Sequence, residues 1–332
     1  MAIESTAFAR AGLIGNPSDG YYGKTISFVI RDFSARVSLY ESPELDIVPA
    51  VQDRTRYRNM HDLVRDVRSN GYYGGLRVMK ASIKRFVDYC EAQGIELPDK
   101  NFSIRYRTTI PRRLGMAGSS AIVTATFRCL MQYYDVDIPK PILPGIILSV
   151  ETEELNIGAG LQDRVIQVYE GVVYMDFDKQ LLDSQGHGNY VPLDPALLPK
   201  LFVAYREDLG EGSEVFHNNI RERWNRGDAE VVEAMKRFAG FAEQTRDLLL
   251  AGRGEEIGPL MDANFDLRRT LFKLDPKNVD MVERARAVGA HAKFSGSGGA
   301  IVGTYEDDAM YARLEETFRE AGIAVFKPTI SA

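Results

Sequence analysis

Apolar and polar positions alternate from Phe102 to Ile110. Phe102, Ile104, Tyr106, Thr108 and Ile110 take one phase, and Ser103, Arg105, Arg107 and Thr109 take the other. A period of two is that of a strand with one face buried. Just upstream, Leu76, Met79, Ile83, Phe86, Val87 and Cys90 recur at helical spacing and predict an amphipathic helix over 74–93. Strands are predicted over 7–14, 25–30 and 35–40, the last two joined by a short Arg31-Asp32-Phe33-Ser34 connection suited to a hairpin. Helical patterns follow over 121–134, 141–155 and 161–169, then a strand over 171–177. The Gly- and Pro-rich stretch 186–199 predicts a boundary, giving domains 1–195 and 196–332. Beyond it come a strand over 201–205, helices over 213–224, 229–250, 255–272 and 279–288, strands over 291–294 and 300–304, a helix over 309–321 and a strand over 323–328. Strand and helix do not alternate regularly enough for a doubly wound sheet, so the class is α+β.

Composition narrows the partners. A chain of 332 residues with 45% hydrophobic and 27% charged residues describes a soluble globular protein long enough for two domains. Its net charge of −6 disfavours nucleic acid and anionic membranes, so an anionic ligand must meet a local positive site. Cys90 and Cys129 are too few for a disulfide framework and fit a reducing cytosol, and neither a signal pattern nor a membrane-spanning apolar run is seen. The histidines His61, His187, His217 and His291 lack ligand spacing, which argues against zinc.

Candidate chemistry lies in three Gly-rich segments. Pro111-Arg-Arg-Leu-Gly-Met-Ala-Gly-Ser-Ser-Ala121 connects the predicted strand to an apolar helix. A Gly-rich turn at a helix N-terminus is a phosphate cradle, because the first-turn N–H groups lack intrahelical acceptors and the macrodipole favours an anion. Gly115 and Gly118 admit close approach of a phosphate, and Ser119 and Ser120 add hydroxyls for a helix cap or a metal ion. Taken alone, the segment reads equally as a Ser-capped core helix. Gly23-Lys24-Thr25 resembles the end of a Walker loop, but Ser18 stands where that motif needs its first Gly and strand-like residues follow. What is left is a strand ending in Gly15-Asn-Pro-Ser-Asp19, which places Asn16, Ser18 and Asp19 where polar side chains read hydroxyls or simply shape a turn. The third segment, Lys293-Phe-Ser-Gly-Ser-Gly-Gly-Ala300, lies between two strands and fails the dinucleotide fingerprint, since Ile301 takes the third Gly position.

In this order the three segments make the chain resemble the galactokinase, homoserine kinase, mevalonate kinase and phosphomevalonate kinase (GHMP) superfamily over its whole length. Residues 9–23 stand at the first motif, 111–121 match the phosphate loop and 293–299 the third motif. Within it the chain is most similar to plant-type glucuronokinases, through Gly15-Asn-Pro-Ser-Asp19, Asn70-Gly-Tyr-Tyr-Gly-Gly75, Ala159-Gly-Leu-Gln-Asp-Arg164 and Asn264-Phe-Asp-Leu-Arg-Arg269. The resemblance implies an N-terminal domain like ribosomal protein S5 domain 2 and a ferredoxin-like C-terminal domain, with the site in the cleft between them. It implies ATP and Mg2+ as cofactors and phosphoryl transfer to a sugar hydroxyl, here the anomeric hydroxyl of D-glucuronate.

The residue roles it implies are these. Pro111, Gly115, Met116, Ala117, Gly118, Ser119 and Ser120 bind the nucleotide phosphates, and Ser120 ligates the metal with a carboxylate for which Glu151, Glu153 and Glu154 compete, Glu151 being preferred. Asp163 is the general base or orients the acceptor, with Arg10 keeping it ionised. Asn16, Ser18, Asp19, Gly296, Ser297 and Gly298 bind substrate, and Arg164, Arg268 and Arg269 are candidates for the sugar carboxylate. Asn16 replaces the Glu of the galactokinase branch, which argues against galactose itself. Two alternatives stand: a kinase of the same superfamily for galacturonate, a neutral hexose or a mevalonate-type acid, and a sensor that binds nucleotide or sugar without turnover.

Overall fold

The computed structural model describes residues 2–50, 53, 60, 74–112, 114–206 and 214–331, with backbone alone at 214–219. Residues 70–73 of the second quoted motif, and His61, lie outside the described residues. The chain forms two compact units, one of residues 1–9, 33–110 and 117–168, the other of 10–32, 111–116 and 169–332. The units interleave along the chain, whereas the sequence suggests one boundary after residue 195.

Strand β1 (Ala2–Ile14) pairs with β2 (Lys24–Glu41), and each contributes residues to both units. In the first unit the C-terminal half of β2 pairs antiparallel with β4 (Phe102–Thr108), Ala35 opposite Thr108 and Glu41 opposite Phe102. Short β3 (Asp46–Val48) adds parallel to β4. Helices α1 (Gly75–Ala92) and α2 (Gly118–Tyr134) pack together, with Phe86 and Phe127 edge to face at 6.1 Å. Helix α2 is buried at Ala121, Ile122, Val123, Ala125, Phe127, Cys129 and Leu130, on more than one face, as befits a central helix. Helix α3 (Leu143–Ser149) passes into a π-helical turn at Val150–Glu154, and α4 (Leu161–Tyr169) follows.

In the second unit the N-terminal half of β2 pairs with β5 (Val172–Asp176), and β5 with β6 (Asn189–Leu193). Helix α5 (Lys179–Gln185), capped by Asp178, joins those two strands. A separate sheet is ordered β10–β7–β9–β8, from β7 (Leu201–Tyr205), β8 (His291–Phe294), β9 (Ala300–Thr304) and β10 (Ala324–Phe326), all neighbours antiparallel. Helices α6 (Glu214–Asn225), α7 (Ala229–Leu250), α8 (Gly258–Leu271), α9 (Pro276–Ala287) and α10 (Asp308–Glu320) complete it. One core gathers Phe202, Phe265, Met281, Phe294, Ile301, Leu314 and Phe318; another joins Tyr21 to Ile220, Val231, Met235 and Phe238.

One sequence expectation is corrected. No hairpin forms at 31–34: β2 runs unbroken through Arg31, Asp32, Phe33 and Ser34. That tetrapeptide holds neither Gly nor Pro to reverse the chain. The stretch 186–199 carries β6, whose Pro192 lies at a sheet edge where a missing N–H is tolerated. Among the described residues no helix is long and apolar enough to cross a membrane.

Candidate active site

The phosphate-loop segment spans the chain's passage from one unit to the other, residues 111–116 belonging to the second and 117 onward to the first. Within the first unit, Ala117 precedes α2 in the left-handed region at φ 60°, unusual for a residue with a Cβ, and no side chain caps the helix. Its carbonyl accepts from Gln167 Nε2 at 2.9 Å, from the Ser120 hydroxyl at 3.1 Å and from the N–H of Ala121 at 3.2 Å. Strain of this kind is commonly retained where a loop must present its amides to a ligand.

From Ser119 a chain of contacts runs to Asp163. The Ser119 hydroxyl donates to Glu151 Oε1 at 2.6 Å, the other Glu151 oxygen accepts from Arg164 Nη2, and Arg164 Nη1 lies 3.4 Å from Asp163 Oδ2 and donates to Gly160 O at 2.9 Å. Glu151 and Arg164 are both buried, while Asp163 keeps 21% of its side chain exposed. The π turn separates the three competing glutamates: Glu151 turns inward, Glu153 pairs with Arg85 at 3.1 Å and Glu154 with Lys84 at 2.9 Å. Hence Arg164, a candidate for the sugar carboxylate, is spent on the protein's own carboxylates, and Ser119 rather than Ser120 touches Glu151.

The second unit brings the first and third motifs together. Arg10 Nη1 donates to the carbonyl of Gly115 and to Ser295 O at 3.3 Å, tying the phosphate loop to the β8–β9 turn. Gly115 sits at φ +62°, and a Cβ there would come within 2.8 Å of Gly298 O, so the two loops touch through backbone. Arg268 is buried and donates to Gly296 O at 2.8 Å and Ser297 O at 3.3 Å. Burial pushes its pKa down to about 10, against the supporting charge of Asp19. Lys293, 1% exposed, donates to Gly12 O at 2.6 Å and Phe294 O at 2.8 Å. Its ammonium is held well below the ordinary lysine range by burial, then by Arg268 and Arg10. Asn278 Oδ1 accepts from Gly299 N at 2.9 Å and closes the turn.

In the first motif, Asn264 accepts from Gly15 N at 2.8 Å and donates to Asn16 O at 3.1 Å. Asn16 is buried and its Oδ1 has no hydrogen-bond partner. Ser18 Oγ donates to Lys24 O at 3.0 Å and accepts from Lys24 N at 3.2 Å, which makes it a turn residue, whereas Asp19 is half-buried in the short 3-10 turn Ser18–Tyr21. Arg269 pairs on the surface with Glu283 at 3.1 Å. Lys293, Gln167 and Asn278 were not singled out from the sequence. Only Lys293 carried a signal, as the head of the third Gly-rich segment.

A hard cation fits the first unit's oxygens. Glu151 and the two serine hydroxyls are oxygen donors of the kind Mg2+ takes in ones and twos while keeping waters and phosphate oxygens. Among the described residues no cluster of three or more His, Cys, Asp or Glu suits a metal held by protein alone.

Residues 78–171 match the family profile described as GHMP kinases N terminal domain, and residues 245–324 that described as GHMP kinases C terminal. The chain belongs to the GHMP kinases, enzymes that use ATP to phosphorylate an alcohol. It is 44% identical over 331 residues to glucuronokinase 1 of Arabidopsis thaliana, covering 98% of this chain and 91% of that one, and 44% identical to probable glucuronokinase 2 of the same plant. The fold matches Lactococcus lactis galactokinase complexed with galactose, with a TM-score of 0.76 at 13% identity over 100% of this chain and 94% of that one. It also matches Streptococcus pneumoniae phosphomevalonate kinase complexed with phosphomevalonate and AMPPNP, with a TM-score of 0.74 at 15% identity over 99% and 100%.

Proposed function

We propose that this protein is an ATP-dependent sugar-1-kinase that phosphorylates the anomeric hydroxyl of D-glucuronate to D-glucuronate 1-phosphate. The near-full-length 44% identity to Arabidopsis glucuronokinases supports the acceptor. The carrying observation for the chemistry is the sequence of contacts Ser119–Glu151–Arg164–Asp163, which fixes the start of the phosphate-loop helix and the candidate base in one unit.

In this reading Asp163 accepts the proton from the anomeric hydroxyl as that oxygen attacks the γ-phosphorus, and the bond from the γ-phosphorus to the β,γ-bridging oxygen breaks to release ADP. Gly115 to Ser120 cradle the phosphates with backbone N–H groups, helped by the α2 N-terminus, and Arg10 contributes by holding Gly115 in place. Glu151 with Ser120 would hold Mg2+, which would supply charge neutralisation at the phosphates, while Ser119 orients Glu151. Asn16, through its partnerless Oδ1, and Asp19 read sugar hydroxyls, and the backbone of Gly296, Ser297 and Gly298 borders the loop. Residues 1–195 and 196–332 form the N- and C-terminal GHMP kinase domains. Cys90 and Cys129, both free thiols, suit the cytosol.

The test is ADP formation from Mg-ATP across glucuronate, galacturonate, glucose, galactose and mevalonate, with the phosphate position read by phosphorus NMR. Fast turnover of glucuronate with phosphate on C1 is expected; turnover of mevalonate with none of glucuronate overturns the reading. Asp163→Asn is expected to slow turnover by about a hundred- to ten-thousandfold while ATP still binds.

A further inference from the structure

We infer that Arg221 recognises the carboxylate of the sugar acid, an inference that rests on the glucuronate reading above. The acceptor needs a cation beside the first motif, since a uronate differs from its neutral hexose by that one charged group. The sequence offered Arg164, Arg268 and Arg269. Two of these are buried and bonded to protein oxygens, and the third pairs with Glu283 on the surface.

Arg221, on α6, stands elsewhere. Its guanidinium lies over the Tyr21 ring at 4.3 Å from the centroid, and among the described residues it makes no hydrogen bond or ion pair. Tyr21 closes the turn that carries Asn16, Ser18 and Asp19, and its ring meets Trp224 edge to face at 5.2 Å. Arg221 and Trp224 are one helical turn apart, so the same face of α6 grips Tyr21 with a cation and an indole. Ile220 fixes that face in the core beneath. Gly20 completes the arrangement: a Cβ there would come within 3.0 Å of Arg221 Nη2, so the missing side chain lets the guanidinium lie against the turn. Tyr21 feels the charges of both Arg221 and Asp19. Stacked on a ring and exposed, the guanidinium keeps its N–H fork available to a carboxylate, and a planar fork suits bidentate capture where an ammonium does not. Asp19 reads hydroxyls from the turn, and Arg221 reads the acid from α6 beside it.

Steady-state kinetics with glucuronate and its neutral isostere glucuronamide test this. In Arg221→Met the KM for glucuronate is expected to rise about 30-fold, within the range of a lost charge-assisted hydrogen-bond pair. The KM for ATP stays near the wild-type value, and the preference for glucuronate over glucuronamide falls by the same factor, which a merely structural role would not produce. Arg221→Lys keeps the stem over Tyr21 and recovers part of the loss, and it serves as the working variant should Arg221→Met unfold. Gly20→Ala, by displacing the guanidinium, is expected to raise the KM in the same direction. If wild type turns over glucuronate and both Arg221 variants keep its KM and its preference within twofold, the inference fails alone. If wild type forms no ADP with glucuronate, the functional reading fails and takes this inference with it.

Discussion

Ser119 and Glu151 are joined by a 2.6 Å hydrogen bond from hydroxyl to carboxylate, with Arg164 on the carboxylate's other oxygen. The bond links the first turn of α2 to the π turn after α3, so a first-turn residue of the phosphate-loop helix also sets the orientation of the one inward glutamate. A carboxylate so held offers a fixed oxygen to a divalent ion rather than a swinging one.

Magnesium dependence should therefore separate the two serines. Ser120 donates its proton to Ala117 O, which leaves its lone pairs for a metal, whereas Ser119 acts on Glu151. Glu151→Gln and Ser120→Ala are expected to raise the Mg2+ needed for half-maximal turnover by about tenfold or more, and Ser119→Ala by less. Titration of Mg2+ at saturating ATP, with binding of a fluorescent ATP analogue as a second readout, checks the order. Equal effects from all three would remove the distinction.

The Glu151–Arg164 pair is also a stability element. Both side chains are about 3% exposed, so removing one partner strands a charge in the interior. Arg164→Met is expected to cost about 3–5 kcal/mol, and the Glu151→Gln, Arg164→Met double variant clearly less than the sum of the singles. Urea unfolding of the four proteins gives the coupling directly, and additive losses would show the pair to be energetically idle.

Legibility in the sequence followed the range of the interactions. Period and spacing located β4 over 102–108, α1 over 75–92 and α7 over 229–250, because these patterns are set by one local face. The hairpin at 31–34 was misplaced since two strand-like runs separated by polar residues look alike whether the chain turns or continues. The three Gly-rich segments were visible as composition, but not their bonds. Nothing local tells that Arg10 holds Gly115, 105 positions away, or that Arg164 faces Glu151 rather than solvent. The resemblance already preferred Glu151 among the three glutamates, but its inward orientation comes from the π turn, which shifts side chains off the 3.6-residue register that a sequence pattern assumes.

Cys129 gives a pH-dependent signature. It is fully buried on α2, and burial pushes its thiol pKa up to about 12. The unfolded chain ionises this thiol near pH 9, so above that pH the unfolded state has lost a proton that the folded state retains. Its contribution is intact below pH 9 and is lost as pH rises toward 12, by about 1.4 kcal/mol per unit. Cys129→Ala should accordingly show a shallower alkaline loss of stability than wild type, measured by urea unfolding between pH 8 and about 10.5. Parallel curves would contradict the assignment.

Gly115 and Arg10 should fail in different ways. Gly115→Ala places a Cβ 2.8 Å from Gly298 O in a left-handed backbone, a geometry that costs an L-residue about 1–2 kcal/mol before any clash. The contact is with backbone and cannot rotate away, so the β8–β9 turn must move. The expected result is a lower melting temperature together with weakened ATP binding. Arg10→Met leaves the glycine geometry intact but removes the donor that draws the Gly115 carbonyl toward Ser295 O. It should raise the KM for ATP by about tenfold, since a charged hydrogen bond is worth about 1.5–3 kcal/mol and only part of that reaches the ligand. ATP titration by calorimetry and thermal melts of both variants distinguish the cases: Gly115→Ala with unaltered ATP affinity would mean that the contact with Gly298 does not shape the phosphate loop.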